Sequence, residues 1–229
     1  MNLIRAAAAV LERSNGEDIT VQEVADEAGQ SLRTLYQYFE SKDDLLLAVF
    51  EEAMRTYARL IEQSIGQLTD PLERLAGAMV AAARMPETSV NGFDRGLVRL
   101  RLRLSQAKPE MVGRAQSALT TLVCSLVEAA AATGRIQASD PEAATFLILS
   151  LNAAFITTET IGNDAGVRRP DIDALTSFCL RGLGAELDDG WYDAVSARLH
   201  LSASPSRPAP VGNVVDRRPA PRRRDAKKA

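Results

Sequence analysis

The chain has 229 residues, one histidine, two cysteines and a formal net charge of -3 at pH 7. This length supports a sizeable hydrophobic core, and a single histidine excludes any site within one chain that needs two imidazole ligands. Cys124 and Cys179 lie too far apart in sequence for a CxxC pair, so a zinc finger is excluded and a disulfide framework is not expected. We predict no metal site and no cofactor.

The charge is distributed unevenly along the chain. Residues 1–50 hold four basic and nine acidic side chains, whereas residues 202–229 hold eight basic and two acidic ones. If the N-terminal part binds nucleic acid, its acids must lie away from the contact surface, because phosphates repel a uniformly acidic one.

No segment predicts membrane insertion or secretion. The apolar stretch 6–11 runs directly into Glu12 and Arg13, which is not typical of a signal peptide. The longest apolar segment, 143–156, is interrupted by polar residues and is shorter than the roughly 18 to 20 residues that span a bilayer. We therefore expect a soluble, cytoplasmic protein.

Apolar residues recur at helical spacing along almost the whole chain, and breakers such as Asn15-Gly16 and Asp140-Pro141 separate the runs. The pattern predicts an all-α fold of about nine to ten helices. The predicted helices cover residues 2–13, 20–27, 31–38, 42–65, 71–84, 93–106, 109–132, 141–161 and 171–187, with a short tenth near 190–199.

Residues 97–104 are an exception to the helical pattern, because apolar and arginine side chains alternate there as in a strand. No second strand-like run exists to pair with this segment, and an isolated strand is not stable. We therefore predict a helix here as well.

Residues 20–46 read TVQEVADEAGQSLRTLYQYFESKDDLL and contain closely spaced helix starts. Thr20 and Glu23 form a T-x-x-E capping box, and Gly29 supplies the left-handed turn that ends this helix. Ser31 then caps a second helix. A helix, a tight glycine-containing turn and a second helix form the helix-turn-helix arrangement, whose second helix enters the major groove of DNA.

The same segment resembles the DNA-binding domain of the tetracycline-repressor (TetR) family of bacterial transcription regulators over residues 4–50. The matching motifs are Thr20-Val21, Val24-Ala25, Ala28-Gly29, Thr34-Leu35-Tyr36, Tyr38-Phe39, Ser41-Lys42 and Asp44-Leu45-Leu46. The resemblance implies an N-terminal three-helix DNA-binding domain followed by a larger helical domain that binds a ligand and dimerises. We expect these domains at residues 1–47 and 48–201, followed by a disordered basic tail rich in Pro and Arg at 202–229.

The second helix of the motif and its surroundings supply candidate DNA contacts. Arg33 is suited to the edge of guanine and Gln37 to that of adenine, while hydroxyl groups and Lys42 are suited to phosphates. Leu32 and Tyr38 are equally compatible with partial packing. The predicted contact residues are Thr20, Gln22, Ser31, Leu32, Arg33, Thr34, Tyr36, Gln37, Tyr38 and Lys42.

Two departures from the family pattern fall on this motif. The family usually has an apolar residue where Gln30 stands, and often Lys-Gly or Lys-Pro where Leu32-Arg33 stand. Because these positions set the sequence preference, the operator of a relative does not transfer to this chain.

The resemblance also implies a small-molecule effector, bound among the middle helices, that changes the spacing of the two DNA-binding domains in a dimer. Asn152 is the sharpest candidate, because a buried amide needs partners, although a backbone group or a dimer mate could equally supply them. The Arg99, Arg101 and Arg103 series suits an anionic effector, with at most one or two of the three facing inward on a helix. Methionine and phenylalanine at helical spacing are more often part of a core. The candidate effector residues are Met79, Met85, Phe93, Leu97, Arg101, Cys124, Ser125, Phe146, Asn152 and Phe155.

Residues 143–156 and 172–187 resemble the two dimerisation helices of the family. Two such helices from each chain form a four-helix bundle on a two-fold axis, which matches a palindromic operator. The predicted interface residues are Leu147, Leu151, Ile172, Leu175, Cys179, Gly182 and Leu183.

The sequence thus predicts a ligand-responsive transcriptional regulator, a repressor, that binds a palindromic DNA operator as a homodimer and is released by a small-molecule effector. The alternative is an accessory regulator with weak or lost DNA binding that acts through protein contacts. An enzyme is not predicted, because the chain lacks a phosphate-binding glycine-rich loop, a nucleophile elbow and a metal-ligand cluster. The basic tail has two open interpretations, sequence-independent phosphate contact or solubilisation.

Overall fold

The computed structural model describes residues 2–14, 19–88, 93–162, 170–188 and 190–199. Within these residues the chain forms 11 α-helices and no strand. The helices are α1 (Asn2–Arg13), α2 (Val21–Ala28), α3 (Leu32–Tyr38), α4 (Lys42–Ser64), α5 (Pro71–Thr88), α6 (Phe93–Ala107), α7 (Pro109–Ala115), α8 (Ser117–Ala132), α9 (Pro141–Ile161), α10 (Ile172–Gly182) and α11 (Trp191–Arg198). The all-α prediction is confirmed, and residues 97–104 lie in α6.

Two hydrophobic clusters organise the fold. The head cluster combines buried side chains of α1 to α3 and the first half of α4 with those of α6 and α7. The regulatory cluster combines the second half of α4 with α5 and α8 to α11. Helix α4 belongs to both, since Phe50 lies in the head cluster and Ile61 in the regulatory cluster. The predicted domain boundary after residue 47 therefore falls inside a continuous helix.

The single helix predicted at residues 109–132 is wrong, because the chain bends by 60° between α7 and α8. Val112 and Ala115 of α7 are buried in the head cluster, whereas Val123 and Val127 of α8 are buried in the regulatory cluster. Helices α7 and α8 bury their apolar faces in different clusters. The bend between them allows each helix to pack against its own cluster.

Two predicted helix ends also need correction. Helix α5 runs to Thr88, not to residue 84, since Pro86 lies in its last turn and its missing N–H removes only one helical hydrogen bond. Helix α10 ends at Gly182, not at residue 187. Gly184 has a left-handed φ of 84°, and the Ala185 N–H donates to the Leu180 carbonyl at 3.0 Å, a hydrogen bond that closes the helix end.

Helix α9 is long and apolar enough, by length and composition alone, to cross a membrane. Core helices of water-soluble proteins meet the same criterion, and one face of α9, with Ala144, Ile148 and Asn152, is buried in the chain. Its opposite face bears exposed apolar side chains, which are described below.

Candidate nucleic-acid interface and regulatory domain

The start of α2 is fixed by the capping box predicted at Thr20. The Thr20 N–H donates to Glu23 Oε2 at 2.6 Å, and the Glu23 N–H donates to Thr20 Oγ1 at 3.1 Å. The backbone N–H of Thr20 stabilises the Glu23 carboxylate and lowers its pKa, with the Thr20 hydroxyl adding to the effect. The box satisfies two backbone donors that the helix start leaves free.

The turn between α2 and α3 depends on Gly29. Its φ of 61° lies in the left-handed region that glycine adopts at little cost, and the Gln30 N–H donates to the Ala25 carbonyl at 2.9 Å. Ser31 then caps α3 by accepting the Thr34 N–H at 3.1 Å. These contacts set the direction in which α3 leaves the turn.

Helix α3 has one anchored face and one exposed face. Leu35 is fully buried against Val24 and Ala25 of α2 in the head cluster, and Phe39 packs against the same cluster from the end of the helix. Tyr36 and Tyr38 remain 51% and 74% exposed, although large aromatic side chains are usually buried. The sequence left open whether Tyr38 packs, and in the structure it lies largely in solvent.

The remaining predicted DNA contacts lie on or beside this exposed face. Arg33 and Gln37 are exposed, as are Thr20, Gln22 and Ser31. Thr34 and Lys42 are partly exposed, and Leu32 packs partly against the head cluster. The Gln22 amide donates to Asp26 Oδ1 at 2.7 Å, so it must exchange this partner to reach a base.

Helix α4 follows α3 directly, and two ion pairs hold its start against α6 and the junction of α6 and α7. Lys108, between α6 and α7, lies 2.6 Å from Asp44, and Arg103 of α6 lies 2.9 Å from Asp43. Lys108, together with Ser41, holds the pKa of Asp44 below its usual value, and Asp44 in turn raises the pKa of Lys108. Helix α6 is thereby joined to the helix that begins just after α3.

These pairs also reduce the acidity of the head. Besides Asp43 and Asp44, Glu27 is neutralised by Arg13 at 2.7 Å. Residues 28–39, which include the exposed face of α3, contain Arg33 and no acid. The exposed face of α3 therefore carries no acid, whereas Glu23 and Asp26 lie beside the predicted contacts Thr20 and Gln22 of α2.

The candidate effector residues whose side chains the structure describes do not converge on one cavity. Met79 and Asn152 are buried together in the regulatory cluster, where the Asn152 amide donates to the Met79 carbonyl at 3.2 Å and Asn152 Oδ1 has no partner among the described residues. Phe155 packs against this cluster, whereas Leu97 lies in the head cluster. The side chains of Met85 and Phe93 lie outside the described residues.

Three further candidates are more accessible. Ser125 lines an open groove of about 670 Å³ between α4 and α8, which also contains Arg55, Arg59 and Thr121. The groove arginine Arg55 is paired to Glu51 within α4 at 2.8 Å. Cys124 and Arg101 are partly buried, and burial lowers the pKa of Arg101.

Phe146, another candidate for the effector site, lies on the outer surface. It is 70% exposed and shares its face of α9 with Leu147, 58% exposed, and Leu151. Phe178 of α10 is 69% exposed. The other predicted interface residues of α10, Ile172, Leu175 and Cys179, are buried in the regulatory cluster, while Gly182 is exposed and Leu183 partly buried.

Sequence reasoning missed two features of this region. The first is the exposed Phe178, which lies three residues after the buried Leu175 on α10. The spacing of apolar residues on this helix does not indicate which of its faces is buried. The second feature is the pair of ion pairs at the start of α4. Arg103 lies 60 residues after its partner Asp43, and Lys108 lies 64 residues after its partner Asp44. Sequence reasoning assigned the arginines of α6 to an anionic effector and did not predict these ion pairs.

Comparison with known proteins finds a family match and relatives for the N-terminal part of the chain. Residues 3–49 match the family model described as bacterial regulatory proteins, tetR family. A stretch of 79 residues is 35% identical to the HTH-type transcriptional regulator HbdR of Aromatoleum sp. strain CIB, covering 34% of each chain. A stretch of 76 residues is 32% identical to the fatty acid metabolism regulator protein of Bacillus subtilis, covering 33% of this chain and 39% of that one.

The chain thus spans about a third of the length of these curated relatives, 34% and 39%. Solved structures resemble the fold over a longer range. RolR without ligand has a TM-score of 0.65 at 19% identity, covering 85% of this chain and 95% of that one. FadR of Bacillus subtilis, in complex with stearoyl-CoA, has a TM-score of 0.61 at 22% identity, covering 82% of this chain and 99% of that one. RolR has also been solved with resorcinol, at a TM-score of 0.63.

Proposed function

We propose that this chain, whose residues 3–49 belong to the tetR family of bacterial regulatory proteins, is a transcriptional repressor that binds a palindromic operator as a homodimer and is released by a small-molecule effector. The observation that carries the proposal is the exposed face of α3. It presents Arg33, Tyr36 and Gln37 to solvent on a helix anchored by the fully buried Leu35. Such a helix can enter the major groove without disturbing the head cluster.

Each exposed side chain has a chemical role in this proposal. Arg33 has the paired donors that recognise a guanine edge, and Gln37 has the donor and acceptor that recognise adenine. Tyr36, Tyr38, Thr20, Thr34 and Lys42 contact phosphates, which fix the register of the head on the duplex. Lys42 stands at the first position of α4, where the helix N-terminus adds a favourable field for an anion.

Dimerisation is supported by the apolar face of α9 and α10. Phe146, Leu147, Leu151 and Phe178 are exposed large hydrophobic side chains on these two helices. A contiguous exposed apolar patch is a typical protein interaction site, and a two-fold pair of such faces presents two heads to a palindrome. The half-sites then lie about 34 to 36 Å apart, one turn of DNA.

A small-molecule effector is supported by the structures of similar fold, since RolR has been solved with resorcinol and FadR with stearoyl-CoA. In this proposal the effector binds better to a dimer whose heads have the wrong spacing for the operator. The effector then lowers DNA affinity by the ratio of its affinities for the two forms. The proposal implies a cytoplasmic protein, because operator DNA lies there.

The test is footprinting of the full chain on the DNA upstream of its own coding sequence, at low and at physiological salt. We expect protection of two half-sites related by a palindrome, and its loss with Arg33→Ala. Protection of a single half-site overturns the dimer model. Absence of protection at low salt overturns DNA binding and leaves the accessory regulator that acts through protein contacts.

A further inference from the structure

Arg101 of α6 is a partly buried cation whose charge no described residue neutralises. Among the residues that the structure describes, Arg101 forms no hydrogen bond and no ion pair. Its neighbours on the same helix differ in this respect, because Arg103 is paired to Asp43 and Arg99 also has a partner. Burial lowers the pKa of Arg101, as expected for a charge removed from water without a counter-ion.

An unpaired, partly buried guanidinium lowers the stability of the folded chain. A charge loses hydration on burial and regains that free energy only from a partner. A methionine would fill the same space without this loss. The position therefore favours a counter-ion from outside the described residues, and the remaining exposure of Arg101 lets such an ion reach it.

The location of Arg101 connects it to the DNA-binding head. Leu97 and Leu104, about one helical turn before and after it, are both buried in the head cluster. Arg101 and Arg103 point about 200° apart on the helix, so Arg101 faces away from the flank that pairs with Asp43. A ligand at Arg101 thus touches a helix that is packed against the head on one side and ion-paired to the start of α4 on another.

The surroundings of α6 also suit an apolar ligand body. Helix α6 contacts α5 and α9 in addition to the head helices. These two helices are rich in alanine and other apolar residues, and α9 carries the partly buried Phe155 and Ile156. A carboxylate or phosphate joined to an apolar group matches the cation of α6 and the apolar helices that α6 contacts.

We propose that the effector is an amphipathic anion, a carboxylate or phosphate on an apolar body, and that Arg101 is its counter-ion. This inference rests on the proposed function, because it assigns the chemical class of the effector. The groove between α4 and α8 is a weaker candidate for the anion, since its Arg55 is already paired to Glu51 and Glu52.

Thermal unfolding of the full chain, without DNA, tests the assignment. The probes are decanoate, decanol and decanoyl-CoA, which share an acyl or alkyl body and differ in charged group. The variants are Arg101→Gln and Arg95→Gln, the latter an exposed arginine on the same helix. We expect at least one anionic probe to raise the melting temperature of the wild type and of Arg95→Gln, decanol to have little effect, and Arg101→Gln to weaken the response at least tenfold in probe concentration.

The arms of this experiment separate the two sources of charge. A response to decanoate assigns a carboxylate, and a response to decanoyl-CoA alone assigns the phosphates. The inference is overturned if neither anion stabilises the wild type more than decanol does, or if Arg101→Gln responds as the wild type does. Without any probe, Arg101→Met should raise the melting temperature; a decrease would show that the guanidinium has a structural partner and would also overturn the inference.

Operator binding, measured separately by fluorescence anisotropy, keeps the two proposals distinguishable. Operator binding without any anion response at Arg101 removes only the effector assignment. An anion response at Arg101 without operator binding removes the proposed repressor and retains the anion site.

Discussion

The Lys108 ammonium lies 2.6 Å from the Asp44 carboxylate, and this pair joins the corner between α6 and α7 to the first turn of α4. Asp44 also accepts the Ser41 hydroxyl at 2.7 Å, so the same carboxylate supports the cap of α4. One residue earlier, Asp43 pairs with Arg103 of α6. Because α4 begins just after α3, the proposed recognition helix, we expect a displacement of α6 to act on the start of α4 and through it on α3.

The Asp44–Lys108 pair contributes stability that depends on pH. The pKa of Asp44 is lowered from its ordinary value of 3.8 in the folded chain, so the contribution is fully present above 3.8 and is lost as the pH falls through the lower, folded value. Lys108→Gln should lower the free energy of unfolding at pH 7, because Asp44 then loses the cation that pairs with it. Urea unfolding of the wild type and the variant between pH 7 and pH 3 checks this, and an undiminished difference at the acid end would contradict it.

Arg33→Ala should weaken operator binding while leaving the fold unchanged. A bidentate contact to a base contributes about 1 to 3 kcal/mol of discrimination, so we expect roughly a 5- to 150-fold loss of affinity at the same melting temperature. Arg59→Ala is a matched control, because Arg59 is exposed on α4 and far along the helix from α3. Fluorescence anisotropy with the footprinted operator measures both; equal losses in the two variants would show that only overall charge matters.

Thr20→Ala should destabilise the head by removing the capping box of α2. Loss of an N-cap hydroxyl costs about 1 kcal/mol, whereas Thr20→Ser keeps an oxygen that accepts the Glu23 N–H. The free energy of unfolding, measured in urea, should therefore fall for alanine and remain near the wild-type value for serine. A similar fall for both variants would indicate that the threonine methyl group, rather than the cap, stabilises this turn.

The local signals of the head could be read from sequence because each depends on a few neighbouring residues. Thr20 with Glu23, Ser31, and the glycine at 29 all form the caps and the left-handed turn that their types predict. The bend at Gln116 could not be read in this way. Residues 109–132 have one continuous helical pattern, and only the separation of the two clusters divides it.

The packing of the helices in the regulatory cluster was harder to predict from sequence for a related reason. Helix α9 is apolar on almost every face, so its sequence does not distinguish the buried Ile148 from the exposed Phe146. The environment of Arg101 is likewise set by helices distant in sequence. The proposed dimer interface and effector site both depend on which helix faces remain exposed. Tertiary packing decides which faces these are.

Phe146→Glu should convert the proposed dimer into a monomer. A carboxylate in the centre of an apolar interface is buried without a partner, and the two-fold axis brings two of them close together. Leu60→Glu is a suitable control, because Leu60 is also an exposed apolar residue but lies on α4. Light scattering after size-exclusion chromatography measures the mass. If Phe146→Glu still forms a dimer, the interface does not lie on this face of α9.

Removal of residues 202–229 should flatten the salt dependence of DNA binding. This segment carries eight basic and two acidic residues, and each phosphate that a protein neutralises steepens the plot of log K against log salt by about 0.9. Leu199, just before it, packs near Gly77 and Ile65 at the end of α4 opposite the head, and α4 is about 35 Å long. A 28-residue segment spans up to about 90 Å when extended, so its length permits contact with DNA bound at α3.

The control for this truncation keeps the length and removes five of the eight basic residues, with Arg217, Arg218, Arg222, Arg223 and Arg224 replaced by glutamine. If the basic residues contact phosphates, both variants should lower the slope by a similar amount while the preference for the operator over unrelated DNA persists or increases, because backbone contacts carry no sequence information. If the tail only aids solubility, both variants retain the wild-type slope and differ from it in the concentration at which they aggregate.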